Sequence, residues 1–282
     1  MKFRLKREYL EKIYLTFIRP VLEYSSEVWD NCGQLNSERL EKLQLEAARI
    51  VTGLTSYAST QSLYLETGWE KLKIRREVKK LTLFYKIMKE DAPEYLLDLI
   101  PPTVAETNNY NLRSSQNIYQ TSSRLSLYQE SFIPSSIKLW NSLDLSVRNE
   151  LSLNMFKLKI KQKYYKNKSP PTYFNIGDRY LNVLHARLRN KCSALNMDLY
   201  HANIKPNAMC QCGYLYENAQ HYFLSCKNYT VQRNKLFFEL RKENIPTDFE
   251  NLMYGNALFN MNINTLIFIK VQNYIKETNR FS

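Results

Sequence analysis

Apolar residues from Leu10 fall at Leu10, Tyr14, Phe17, Val21, Tyr24 and Val28, a 4-3-4-3-4 spacing that places one stripe on one side of a helix. Pro20 interrupts the stripe, and without its N–H, and with its ring against the carbonyl of Thr16, it should kink or divide the helix. A second helix is predicted from a cap at Asn36 or Ser37 to a stop at Gly53, carrying Leu40, Leu43, Ala47, Ile50 and Leu54 inward. A third covers about Trp69 to Lys89, with Ile74, Val78, Leu81, Phe84 and Met88 inward. Its outer positions carry Lys or Arg at 71, 73, 75, 76, 79, 80, 86 and 89, either a solvated face or a ridge that tracks phosphates.

Pro101-Pro102 then breaks the chain. The stretch to about Leu127, rich in Ser, Asn, Thr and Gln, has little periodicity and reads as a loop or linker. A shorter helical block resumes near Pro134, with Trp140 as an apolar anchor, and runs to Tyr165. Ser169-Pro170-Pro171 is the best boundary candidate. Beyond it the pattern gives helices at about 178–198, 231–243 and 263–278, with an irregular cysteine-containing segment after the first. No stretch alternates at period two over six residues, so the fold class is mainly α: a helical bundle in 1–100, a linker and short helical block in 101–171, and a helical module in 172–282.

Composition narrows the chemistry. Forty Lys and Arg against 27 Asp and Glu give a net charge of +13, an excess that favours a polyanionic partner, nucleic acid or an anionic membrane surface. Only six glycines occur, and the closest two, Gly53 and Gly68, are fifteen positions apart. That spacing excludes the phosphate-cradling loop, the dinucleotide fingerprint and the G-x-S-x-G elbow, each of which needs several glycines close together. No two of the seven Asp are adjacent, so the paired Asp that binds catalytic magnesium in many polymerases is missing. Neither a signal-peptide run nor eighteen consecutive apolar residues is present, from which no membrane partner and an intracellular place, cytoplasmic or nuclear, are expected.

Five cysteines, three of them within seventeen residues, fit a reducing compartment and a metal site better than cystines. Cys210, Cys212, His221 and Cys226 form C-x-C-x8-H-x4-C, four ligands of the right type at knuckle spacing for one structural zinc. Four protein ligands leave no position for an activated water. Gly213 supplies the left-handed backbone that a tight thiolate pair requires next to it. On a continuous helix His221 and Cys226 would lie about 140° apart, so the helix carrying His221 must end before Cys226. Zinc contributes on the order of 10–16 kcal/mol, while ordering the backbone costs about 1–2 kcal/mol per residue. Over this segment the metal alone does not suffice, so Tyr214, Leu215, Tyr222, Phe223 and Leu224 must pack on flanking helices or, in part, stack on bases.

Between Lys157 and Lys191 there are ten Lys and Arg and a single acid, Asp178, with Tyr164, Tyr165, Tyr173 and Phe174 interleaved. This composition fits a single-strand binder as well as a solvated basic linker. The candidate nucleic-acid contacts are Lys161, Lys163, Lys166, Lys168, Arg187, Arg189, Tyr222 and Phe223. His185 and His201 have no ligand-spaced partners, and Cys32 and Cys192 read as plain buried thiols.

The run Ile18-Arg-Pro-Val-Leu-Glu-Tyr-Ser-Ser-Glu-Val-Trp29, the run Arg39-Leu-Glu-Lys-Leu-Gln-Leu-Glu-Ala-Ala-Arg-Ile-Val-Thr-Gly53, Leu63-Tyr-Leu-Glu-Thr-Gly-Trp69 and Arg75-Arg76 resemble the segment after the polymerase palm in non-LTR retrotransposon reverse transcriptases. Leu188-Arg189, Leu195-Asn196, Asp198-Leu199, the knuckle, Tyr229 and Arg233 are similar to the C-terminal end of the same proteins. The resemblance covers about residues 9–240. It implies a thumb-like bundle and a CCHC knuckle that helps hold element RNA or target DNA during target-primed reverse transcription. Palm and endonuclease motifs are absent from the sequence, so the resemblance implies a C-terminal, non-catalytic fragment that binds RNA or single-stranded DNA. A helical scaffold that docks on a separate polymerase or host protein is the alternative, and a palm supplied in trans would be its partner in an enzymatic reading.

Overall fold

The computed structural model describes residues 5–107 and 115–281. Among the described residues the secondary structure is helical, with one isolated antiparallel bridge, Thr103 to Ile118, and no strand. The elements used below are α1 (Arg7–Ile13), α2 (Gln34–Thr52), α3 (Thr60–Thr67), α4 (Leu72–Met88), α5 (Phe132–Asn141), α6 (Leu153–Tyr164), α7 (Arg179–Arg189), α8 (Asn196–His201), α9 (Ala219–Leu224), α10 (Thr230–Lys242), α11 (Phe249–Tyr254) and α12 (Met261–Glu277). They belong to two compact units. One is Met1–Thr16, Leu45–Trp69 and Lys168–Ser282; the other is Phe17–Gln44 and Glu70–Asn167. These units differ from the three sequential blocks 1–100, 101–171 and 172–282, because residues 45–69 group with the C-terminal helices, a long-range preference that no local pattern encodes.

In the second unit α4 is the central element, with α5 and α6 laid against it. Its apolar face is the expected one. Val78, Leu81 and Phe84 are buried with Ile137, Trp140, Phe156 and Ile160, and Tyr85 stacks on Phe156 at 4.2 Å. The other face departs from the expected basic ridge. Arg76, 1% exposed, donates to Asp30 at 2.6 Å and to Ser37, and Lys80 reaches the same carboxylate at 2.8 Å. Arg75 and Lys79 meet Glu23. Four of the eight cations counted as outward by periodicity are thus in ion pairs, their acids supplied from about residues 23–30, while Lys71, Lys73 and Lys89 are exposed.

The stripe from Leu10 to Val28 does not form one face. A π-helical turn over Tyr14–Ile18 shifts the register, Pro20 sits at the start of a new short helix, and Ser25 takes a left-handed backbone (φ 45°). Tyr14 is buried against Trp69 at 4.4 Å, whereas Phe17, Val21, Tyr24 and Val28 are 72–80% exposed and Glu23 and Ser26 are buried in their place. Helix α2 likewise starts earlier than expected and turns Gln44, Ala48 and Val51 inward, leaving Leu43 and Ile50 exposed. It stops at Gly53 as expected. Gly53 is left-handed (φ 75°), its N–H donates to Arg49 O, and the last carbonyls are capped by Arg179 on Ile50 O and Arg187 on Gly53 O.

In the first unit α7, α10 and α11 surround α12, and α9 packs on α11. The core holds Phe174, Leu188, Tyr222, Phe223, Leu240, Leu252, Phe268, Val271 and Tyr274. At its centre Glu66, from α3, receives both arms of Arg189 (2.6 and 3.1 Å), Arg7 at 3.3 Å and Asn190 at 2.8 Å. Burial would raise this carboxyl, but the charge and hydrogen bonds of Arg189 and the charge of Arg7 more than reverse it and hold it near a pKa of about 2. His185 is buried on Phe268 with its Nε2 at 3.0 Å from Leu252 O, and burial, helped by Arg189, lowers its pKa to about 3.

Both shifts have one sign. The contribution of Glu66 is complete above the ordinary carboxyl value of 4.5 and is lost as pH falls toward 2. That of neutral His185 is complete above 6.5 and is lost as pH falls toward 3. Urea denaturation is expected to show stability flat near neutrality and falling with acidification from about pH 6 downward. Glu66→Gln should cost about 3–5 kcal/mol, since it leaves two buried guanidinium groups without a counter-charge, and should remove the part of the acid dependence below about pH 4.5.

Candidate metal centre

The chain from Ala208 to Glu217 doubles back on itself. Glu217 N–H donates to Ala208 O at 2.7 Å, Cys210 N–H to Tyr214 O at 2.9 Å and Gly213 N–H to Cys210 O at 3.0 Å. This tight turn needs Gly213, at φ 88°, and points Cys210 and Cys212 the same way. Asn218 caps α9, its side chain accepting from His221 N–H at 2.8 Å, and so fixes the first turn that carries the imidazole. The helix ends at Leu224, as the five-residue spacing demanded. Cys226 N–H then reaches back to His221 O at 2.8 Å, while Arg233 of α10 holds Cys226 O at 2.7 Å.

Cys210, Cys212, His221 and Cys226 are thereby brought together, their ligand atoms all within 4.8 Å of one another, and this group could hold a metal ion. Cys210 Sγ and Cys226 Sγ are 3.7 Å apart, and Cys212 Sγ lies 3.2 Å from His221 Nε2. Cys226 is fully buried and Cys210 and His221 are 5% exposed, with Cys212 at the edge. Burial pushes the Cys210 thiol up to about 12 and raises Cys226, whereas for Cys212 the N–H of Tyr214 helps to reverse the effect of burial and lowers it. Burial also lowers His221, the direction that favours the neutral ring a ligand needs. Ser225 Oγ sits 3.0 Å from His221 Nδ1, so Nε2 is the free ligand atom, and Tyr214 stacks on the ring at 4.4 Å and 8°. Glu217 lies behind Cys210, clamped by Arg280 at 2.8 and 2.7 Å and by Asn196 N–H at 2.8 Å. Sequence spacing found the four ligands but missed Ser225, Glu217 and Arg280, and Arg233 entered only through the family resemblance. Only Ser225, one helical turn after His221, had a local signal.

The candidate nucleic-acid residues are dispersed. Lys161, Lys163, Lys166 and Lys168 are exposed; Lys163 donates to Ser142 O, and the other three have no side-chain hydrogen bond or ion pair among the described residues. Arg187 is half-buried on Gly53 O. Arg189 must be reassigned: at 5% exposure, it is committed to Glu66 and Met253 O and lies flat on Phe174 at 3.8 Å. Tyr222 and Phe223 are corrected too. Both are 0% exposed, packed on Tyr274, and neither can stack on a base in the folded protein. The exposed apolar residues beside the cluster are instead Tyr214, Leu215 and Tyr216, which follow Gly213 at the tip of the turn.

No family model matches the chain, and no curated protein or solved structure is detectably similar to it.

A side chain at position 213 would meet nothing within 4 Å, so Gly213→Ala should cost only the left-handed backbone, about 1 kcal/mol by chemical denaturation of the metal-loaded protein. Ser225→Ala frees the imidazole to rotate and should weaken metal affinity about tenfold in a competition titration with a chromophoric chelator.

Proposed function

We propose that this chain binds RNA or single-stranded DNA, as the C-terminal region of a non-LTR retrotransposon reverse transcriptase, and that Cys210, Cys212, His221 and Cys226 hold one structural zinc. The reading is carried by the convergence of those four ligands. A tetrahedral zinc with Zn–S near 2.3 Å sets its sulfurs about 3.7 Å apart, and the Cys210–Cys226 separation is 3.7 Å. Zinc bound there would tie the turn at 210–213 to α9 and the start of α10. With all four positions taken by protein, its part is structural.

The exposed Lys161 and Lys163 in the last turn of α6, and Lys166 and Lys168 after it, support the nucleic-acid contact, and Arg189, Tyr222 and Phe223 leave the list of contacts. The chain is not expected to extend a primer, since its seven Asp include no adjacent pair to seat two metal ions. A scaffold reading, with a palm in trans or a host protein as partner, is favoured by one observation, the 72–80% exposure of Phe17, Val21, Tyr24 and Val28.

Metal analysis of protein prepared without chelator should give about one zinc per chain, and less than half would overturn the assignment. Cys212→Ser should release it and melt the unit containing 168–282, including residues 45–69 that share it. Binding of labelled single strands should fall with salt at a log-log slope near −3 if about four phosphates are neutralised, roughly a fiftyfold loss over a fourfold rise in salt. Joint replacement of Lys161, Lys163, Lys166 and Lys168 by Ala should flatten that slope while leaving the melting temperature in place. Failure of both RNA and DNA to bind below about 10 μM at low salt would hand the case to the scaffold reading.

A further inference from the structure

The second unit contains a cavity of about 290 Å³ that the knuckle and the exposed lysines do not involve. Arg148, at the end of the short helix Leu145–Arg148, lines it. This guanidinium is 9% exposed, yet among the described residues it is in no ion pair: its one hydrogen bond there runs from Nη1 to Gln116 O at 3.2 Å, and its buried Nε has no partner. Asp144 attracts it from beyond ion-pair distance, and burial lowers its pKa. Arg76 and Arg189 have carboxylates supplied to them, by Asp30 and Glu66, whereas the buried Arg148, Arg179 and Arg233 are held by backbone carbonyls, and of these three Arg148 lines this cavity. A desolvated guanidinium left with an open donor in a cavity is a fork without its anion.

The remaining walls define what that anion carries. Lys89, exposed at its outer part, adds a second cation. Ile118 and Trp140, both buried core residues, give an apolar wall including one large ring. Asn149 adds an amide. The rigidity of this wall comes from Asn141, whose side chain clamps Ile118 through both backbone groups, at 3.0 and 2.9 Å. Two cations beside a flat apolar wall and an amide match a phosphate joined to a planar heterocycle.

We propose that this cavity binds a nucleoside 5′-phosphate, with the phosphate on Arg148 and Lys89 and the base against Trp140 and Ile118. The ligand is either a free mononucleotide or the 5′-phosphorylated end of a strand. The proposal stands apart from strand binding through the lysines near residue 165, because it needs neither those lysines nor the zinc.

Calorimetry of the full chain with adenosine 5′-monophosphate, adenosine and inorganic phosphate tests the chemistry, and polarisation with 3′-labelled strands bearing or lacking a 5′-phosphate tests the source. The mononucleotide should bind saturably at sub-millimolar concentration and at least about tenfold more tightly than adenosine or phosphate alone. Arg148→Lys, which keeps the charge and loses the fork, should weaken it about tenfold, and Lys89→Ala at the exposed edge about threefold. Saturable nucleotide binding with no effect of the strand's 5′-phosphate identifies a free nucleotide; a 5′-phosphate-dependent gain abolished by Arg148→Lys identifies a strand end. Absence of both, or binding unchanged in folded Arg148→Lys and in Lys89→Ala, overturns the proposal, and strand affinity that still follows salt and the four lysines would show that the nucleic-acid reading survives it.

Discussion

The ionised Glu66 carboxylate allows two arginines to exist inside the first unit. Without it Arg7 and Arg189 would each carry a charge into a region from which water is excluded, a cost of several kcal/mol apiece. With it, Arg189 can lie on Phe174 and hold Met253 O at 3.0 Å, which fixes the end of α11. Helix α9 packs on α11 and carries His221. The position of a metal-ligand candidate therefore rests, through three consecutive contacts, on a carboxylate more than 150 residues earlier in the chain. The same group makes the unit acid-labile, since the charge that organises it disappears at low pH.

Charge is handled in the same way in the second unit, where Asp30 and Glu23 absorb four cations of α4. The net +13 is consequently not spread as the sequence implies. Much of the basic character of α4 and α7 is internal structure, while Lys161, Lys163, Lys166 and Lys168 are among the cations that face water. A polyanion would meet fewer cations than the composition indicates, since those in internal ion pairs are already neutralised.

The helical class and the four-ligand cluster were legible in the sequence because both depend on short spacings: the apolar period of α4, the C-x-C turn with Gly213, and the five-residue step that forces α9 to end before Cys226. What escaped was decided by partners far along the chain. Arg76 looks solvent-facing until Asp30, 46 residues earlier, is set beside it. Arg189 looks like a phosphate ligand until Glu66, 123 residues away, closes on it. For Tyr222 and Phe223 the sequence favoured packing but left stacking open, and the placement of Tyr274 on α12 decides for packing. The stripe from Phe17 to Val28 was misread for a local reason, since one π-turn is enough to rotate every later residue off the expected face.

Gly53 joins two requirements in one residue. Its left-handed backbone ends α2, and any Cβ there would run into Val183 of α7, which is 1% exposed. The termination of one helix and the close approach of another are thus written at a single position. Shrinking Val183 would make room for a side chain but would leave the backbone strain untouched. The two helices are in this sense genetically linked: drift at position 183 cannot liberate position 53, and glycine there is constrained twice over.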